Sequence, residues 1–252
     1  MTSALHAEGG AAVATGPVLV GCSHGTDNLQ GREAIRSILA DVAATRTDLR
    51  VREAFVDVQV PEVGAVVADA LAEQRGGVVV VPLLLSVGFH VKVDIAAAVD
   101  RPGAAATGPL GPDPRLVDVL VERLHDVGLR PDDSVVLAAA GSTDSAAALA
   151  VESVAAGLAD RLSQPVTIGY GAGAEPRVPA AIAAARADLR PGGRVVVASY
   201  LLAPGFFYDR VLAAGADVVS RPLAPDPRLA EIVLDRYDAV AADLDAPDVA
   251  SV

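Results

Sequence analysis

A chain that repeats itself must fold so that both copies can use one scaffold, and this sequence carries such a repeat over most of its length. VVLAAAGSTDS from Val135 lies on VLVGCSHGTDN from Val18 at an offset of 117 residues, and VVVASYLLAPGFFYDRV from Val195 lies on VVVVPLLLSVGFHVKVD from Val78 at the same offset. Between them FVDVQVPEV from Phe55 matches YGAGAEPRV from Tyr170 at 115, and after them LGPDPRL matches LAPDPRL at 113, a drift of the size that loop deletions produce. Each copy reads as a strand (18–22 and 135–139), a helix (28–44 and 145–162), a second strand (51–57 and 166–170) and a second helix (62–74 and 177–188). A buried strand follows (78–85 and 195–202), then a glycine loop with its helix and a fourth short strand around 105–110 or 217–223. Asp113 before Pro114 and Asp226 before Pro227 are N-cap and first-turn proline, so a capped helix closes each copy. His125 falls in the first of these, on its surface.

Strands alternating with helices require parallel sheets with right-handed crossovers, covered by helices on both faces. The expected fold class is therefore α/β: two similar parallel-sheet domains facing across a cleft. Residues 1–16 read as a flexible tail, 17–127 as an N-terminal domain carrying the site, 128–134 as a linker, 135–242 as a degenerate C-terminal copy and 243–252 as a second tail. With the cleft supplied by one chain, a monomer suffices.

Composition narrows the function classes. The formal net charge is −12 with no basic cluster, and aromatics make up only 3% of the chain, which argues against nucleic acid and anionic membrane as partners. The first sixteen residues lack a basic stretch followed by an apolar core, so they do not read as a signal peptide, and no apolar run reaches the ~20 residues a membrane span needs. A single cysteine, Cys22, cannot close an internal disulfide and suits a reducing cytoplasm. It reads as a small buried hydrophobe, although its nearness to His24 leaves another role open.

Polar residues interrupt the apolar pattern where the first and third strands of the first copy end. VLVGCSHG places His24 just after one, and VVVVPLLLSVGFH carries the chain past Gly88 to His90 just after the other. Open α/β sheets hold ligands at that edge. Asp57 ends the second strand. On the offsets above, His24 corresponds to Gly141, His90 to Phe207 and Asp57 to Ala172, so all three polar groups are absent together from the second copy. That favours one site in the first lobe, with the second as lid or wall. Two imidazoles and a carboxylate can bind a divalent transition metal or take up protons near neutral pH, and the spacing does not choose between them.

The pairing of a strand-terminal His24-Gly25-Thr26 with Pro82, Leu83, Leu85, Gly88, His90, Asp94 and Ile95 resembles the class II tetrapyrrole chelatases, the sirohydrochlorin cobaltochelatases and ferrochelatases, in their tandem two-domain form. The resemblance covers nearly all of residues 17–242. It implies insertion of Co²⁺ or Fe²⁺ into sirohydrochlorin or a related tetrapyrrole, for cobalamin or sirohaem biosynthesis, with no cofactor beyond that substrate metal ion. His24 and His90 would deliver the metal and accept the displaced pyrrole protons, and Asp57, where the family carries glutamate, would ligate or orient. Asp27 stands where the family often has arginine, and the acidic chain needs local bases for a polycarboxylate. Lys92, Arg32 and Arg210 are the candidates, with Thr26 and Gly88 lining the substrate site. The alternatives are a non-catalytic carrier of metal or tetrapyrrole, a histidine phosphoryl-transfer enzyme, for which the arginines beside the nucleophile are missing, and a non-catalytic interaction domain.

Overall fold

The apolar runs form the strands. The computed structural model describes residues 16–73, 76–86, 88 and 91–244, with only the backbone of Val91 and Lys92. His90 and nearly all of both expected tails therefore lie outside the described residues. Strands β1 (Val18–Ser23), β2 (Val51–Phe55), β3 (Val78–Pro82) and β4 (Ala104–Ala106) make a parallel sheet in the order β2-β1-β3-β4. Strands β5 (Ser134–Ala139), β6 (Val166–Tyr170), β7 (Val195–Tyr200) and β8 (Val218–Val219) repeat it as β6-β5-β7-β8. The helices are α1 (Leu29–Thr45), α2 (Val63–Glu73), α3 (Ala96–Val99), α4 (Pro114–Asp126), α5 (Ser145–Arg161), α6 (Val178–Ala187), α7 (Phe206–Leu212) and α8 (Pro227–Leu244). A π-helical turn, Val91–Ile95, precedes α3. This is the α/β class expected, with two similar four-stranded domains.

The central strands read as unbroken apolar runs because both of their faces are covered. In β1, Val18, Val20 and Cys22 face α2 and α3, while Leu19 faces α1. In β3, Val78 and Val80 take the outer side and Val79 and Val81 the inner. Gly21 lies on the inner side, where a Cβ would collide with Leu39 of α1, so the missing side chain lets helix and strand close up. The expected strand 78–85 is shorter as a ladder, ending at Pro82. The chain nevertheless keeps its course, since Leu83 N still donates to Cys22 O and Leu110 N donates to Leu84 O.

The helices that close the copies cross over. Helix α4, from the first copy, packs on α5 and β7 of the second, and α8, from the second, packs on α1, β3 and β4 of the first. One continuous apolar core therefore runs through α1, α4, α5, α8 and the inner faces of both sheets. The repeated L-x-P-D-P-R-L segments build the crossing, and they do so reciprocally. Arg123 of α4 donates to Leu223 O and Pro225 O and pairs with Asp226 at 3.2 Å, while Arg236 of α8 donates to Pro109 O and Leu110 O and pairs with Asp113 at 3.5 Å. Asp113 and Asp226 also accept the backbone N–H of Arg115 and Arg228, as N-caps do. His125 is exposed on α4.

Burial alone would raise the carboxyls of Asp113 and Asp226. Hydrogen bonds from the Arg115 and Arg228 side chains, their backbone N–H groups and the nearby guanidinium charges outweigh it and hold both below the ordinary carboxylate range. Arg123→Ala leaves Asp226 its bonds to Arg228 but takes the donors from the Leu223 and Pro225 carbonyls, and is expected to lower the urea-unfolding free energy by about 1–3 kcal/mol. Because the two carboxyl pKa values are depressed in the folded state, their stabilisation is complete above the unfolded value of about 4 and disappears as pH falls through the folded values. Unfolding curves taken between pH 7 and pH 2 should show the loss beginning below about pH 4, with a shallower slope in Asp226→Asn.

Candidate functional site

In both sheets the chain leaves the first strand to one side and returns on the other, so the switch point lies between β1 and β3 in one lobe and between β5 and β7 in the other. Crevices at the carboxyl ends of strands form at such points. Here the two crevices face each other and merge into one cleft of about 950 Å³ between the lobes. That volume is at the upper end of the range for small-molecule and cofactor sites.

Of the residues singled out from the sequence, His24, Thr26, Arg32 and Gly88 line this cleft. His24 follows β1 directly, and its carbonyl accepts the N–H of Asp57 at 3.2 Å, which ties the β1 and β2 loops together. Asp57 itself is exposed on the rim, its Oδ1 accepting the N–H of Val58 at 2.7 Å, and it does not line the cleft. Thr26 holds the entry to α1: its Oγ1 accepts from Asn28 N and its own N–H donates to Gln59 Oε1 at 2.9 Å. Arg32 reaches back from α1 to the Thr26 carbonyl at 2.7 Å and to Asp27 at 3.4 Å. Arg210 stands beside the mouth, its guanidinium 5.4 Å from the centre of the Phe206 ring, and does not line the cleft. Nothing is described for the Lys92 side chain. Among the described residues no three His, Cys, Asp or Glu side chains gather to hold a metal ion.

The correspondence of His24 with Gly141 needs correction by one residue. Gly25 and Gly141 share the left-handed conformation, with φ of +90° and +84°. Thr26 and Ser142 both accept the N–H two residues on, and Ala172 N donates to Ala140 O as Asp57 N does to His24 O. The structural counterpart of His24 is therefore Ala140. The gapless match slipped because an alanine-rich strand end carries little register information. In the second lobe Ala140, Ala172 and Phe207 thus stand where the first has His24, Asp57 and, by sequence, His90. The Phe207 ring lies so close over Gly171 that a Cβ there would sit 2.8 Å from it. Phenyl and glycine together fill the space in which the second lobe would have formed its own site.

The lobes also lean on each other's loops. A Cβ on Gly205 would sit 3.3 Å from Thr26 Oγ1, and one on Gly88 4.0 Å from Ser142 Oγ; Gly31 of α1 packs directly on the Pro204 carbonyl. Tyr200 O–H donates across the boundary to Leu85 O at 3.3 Å. Sequence reasoning missed the second lobe's wall, chiefly Tyr200, Phe206 and Tyr208, because its residues look like ordinary core. That Phe206 is exposed and Tyr208 half-buried at the cleft, with Tyr200 buried behind it, could not be read from the pattern. Burial, with Asp113 nearby for Tyr200 and Asp209 for Tyr208, raises both phenols above their ordinary value, so both remain protonated donors. Burial and the Asp94 charge push the Cys22 thiol up to about 12, which leaves it a neutral core group packed away from the cleft.

The CbiX family model matches residues 18–127 and again 134–240. A structure of SirB from Bacillus subtilis with Fe³⁺ is 20% identical, with a TM-score of 0.74, covering 92% of this chain and 98% of that one. The sirohydrochlorin chelatase SirB from Bacillus subtilis subspecies spizizenii in complex with cobalt gives 20% and 0.71, covering 90% and 96%. DR2241 from Deinococcus radiodurans, a multi-domain protein with structural similarity to chelatases, gives 20% and 0.67, covering 93% of this chain and 56% of that one. No curated protein matches the chain. At these identities the structural likeness bears on the fold alone. No helix among the described residues is long and apolar enough to cross a membrane.

Next to Asp57 the backbone is strained. Val58 has φ of +56°, a conformation that a β-branched side chain adopts at a cost of about 1–3 kcal/mol. Its side chain is 48% exposed, so little packing is lost by removing it. Val58→Gly is expected to stabilise the fold by about 1 kcal/mol, a rise of roughly 2–4 °C in the thermal midpoint. An unchanged or lower midpoint in calorimetry would show that the strain is not carried there.

Proposed function

The chain belongs to the CbiX family, and from that premise we propose that it is a metal chelatase inserting a divalent ion, Co²⁺ or Fe²⁺, into a tetrapyrrole of the sirohydrochlorin type. The observation that carries this reading is the asymmetry of the cleft. One wall presents an imidazole, His24, at a strand end, and the opposite wall has replaced the equivalent groups with Ala140 and Phe207 and is otherwise largely apolar. The solved SirB proteins, one with Fe³⁺ and one in complex with cobalt, support it as relatives of the same fold.

Metal insertion exchanges one M²⁺ for two pyrrole N–H protons. The ring nitrogens gain the metal, and both protons must leave the cleft. His24 would accept a proton or hand over a metal ion, and His90, on the sequence reading, would share those tasks. Asp57, tied to His24 through the backbone, would attract the incoming cation from outside the cleft. Arg32 is the candidate for a substrate carboxylate and Thr26 and Gly88 shape the floor, while Lys92 keeps that assignment from sequence alone. The chain's negative charge favours the approach of divalent cations.

The test is anaerobic mixing of the protein with sirohydrochlorin and Co²⁺, Fe²⁺ or Ni²⁺ in turn, following the visible absorbance of the metallated ring. We expect saturable insertion and a loss of about 100-fold or more in rate for His24→Ala and for His90→Ala. Tight retention of metal or tetrapyrrole without any rate above the uncatalysed one would instead identify a carrier.

A further inference from the structure

The chain has four Phe, four Tyr and no Trp, yet six of these eight rings line the one cleft: Phe55, Tyr170, Tyr200, Phe206, Phe207 and Tyr208. Five of the six come from the second lobe. Phe55, Tyr170 and Tyr200 are buried core rings that back the cleft, whereas Phe206, Phe207 and Tyr208 at the start of α7 are exposed or half-buried there, which core packing alone does not require. Phe206 is the most unusual of them. It is the first residue of α7, it lines the cleft, and 67% of it is exposed.

An exposed phenyl ring is usually free to turn, and this one is held. The Phe206 and Phe207 rings form a T-shaped pair, with centroids 5.4 Å apart and planes at 76°, and the Arg210 guanidinium lies 5.4 Å from the Phe206 centroid. Edge-to-face pairing and a cation over a ring each fix orientation. The ring therefore enters the binding step with part of its orientational freedom already removed, which lowers the entropy cost of using it. Phe207 in turn is seated over Gly171, so the second lobe's filled-in site becomes the foundation for the exposed ring.

We propose that Phe206 is a stacking platform that holds a flat conjugated macrocycle against the second lobe, with its pyrrole nitrogens turned towards His24. This rests on the chelatase reading and adds to it a substrate-positioning residue on the lobe that lost its polar groups. It also gives Arg210 a different task from carboxylate binding: the guanidinium supports the ring. Recognition through a π-face suits the described lining, whose carboxylates Asp27, Glu53 and Asp209 outnumber its cation Arg32. A polycarboxylate can be held there by its ring while its charged periphery stays in water.

The experiment titrates the full chain with metal-free sirohydrochlorin and follows the tetrapyrrole's own fluorescence, using wild type, Phe206→Ala, Phe206→Leu and Phe206→Tyr, and then measures insertion of Co²⁺ by each. Stacking predicts that Phe206→Tyr binds like wild type, while Phe206→Ala and Phe206→Leu bind about tenfold more weakly, the size of one lost aromatic contact. The same variants should raise KM for the tetrapyrrole by a similar factor and leave the dependence on metal concentration unchanged. Because Phe206 is largely exposed, all four proteins should melt alike, and that measurement separates lost stacking from lost fold. If Phe206→Leu binds as tightly as wild type, plain apolar area suffices and the platform is refuted. If wild type itself neither binds nor metallates sirohydrochlorin, the chelatase reading fails first, and the two failures are told apart by the wild-type titration alone.

Discussion

The crossing of α4 and α8 is the constraint on which the cleft depends. Two crevices at two sheet edges make one cavity only if the sheets keep a fixed distance and angle, and the linking segment after α4 cannot set these by itself. The exchange of closing helices does so by putting each copy's last helix into the other's core. Arg123 with Asp226 and Arg236 with Asp113 then fix the register of the exchange from both sides. A salt bridge in such a place is weak evidence of net stability, because desolvation offsets most of the attraction. Its contribution is geometric: each guanidinium is satisfied only where it meets the carbonyls ahead of the opposite helix, so a slip of either helix by one turn would leave buried charge without partners.

That arrangement explains which parts of the fold were legible in the sequence. The repeat, the succession of strands and helices within each lobe and the capped closing helices all follow from local signals that neighbouring residues carry together. Asp-Pro at 113–114 and 226–227 marks a helix start wherever the helix goes. Where it goes is a different matter. Nothing in LGPDPRL says that the helix it opens will pack on the other sheet, since the apolar face of α4 would fit either one. The reciprocity between Arg123 and Arg236 is visible in the sequence only as two arginines 113 residues apart, and meaningful only once the carbonyls they meet are known.

The site was legible in a similar, partial way. Polar residues that break an apolar strand end, such as His24, announce themselves. Their counterparts in the second lobe could be found only as absences, and an absence in Val-Val-Leu-Ala-Ala-Ala-Gly has no register, which is why the match slid from Ala140 to Gly141. Backbone geometry restores it, because a left-handed glycine and a hydroxyl two residues before the helix cap cannot be displaced by one without losing both bonds. The rings of the second lobe were hidden for the opposite reason. Phe206 and Phe207 look like the continuation of a core helix, and only the sheet edge beyond Tyr200 turns them to the cleft.

The two copies therefore divide one task by keeping the backbone and changing the chemistry at equivalent points. In the first lobe the segments after β1 and β2 carry His24 and Asp57. In the second they carry methyls and rings, and Gly171 lacks a side chain where Phe207 needs room. On the proposed function, such a division would resolve the tension between an acidic chain and an anionic substrate. A macrocycle offers two kinds of surface, a charged rim and a neutral face, and a site that had to neutralise the rim would need several cations, which would in turn repel the metal. Gripping the face would leave the cleft free to remain negative, and a negative cleft favours the approach of a divalent ion. The same charge balance would disfavour both steps if the walls were exchanged for two basic ones, so on the proposed function the apolar, ring-bearing second lobe would be the partner that makes a metal-attracting first lobe workable.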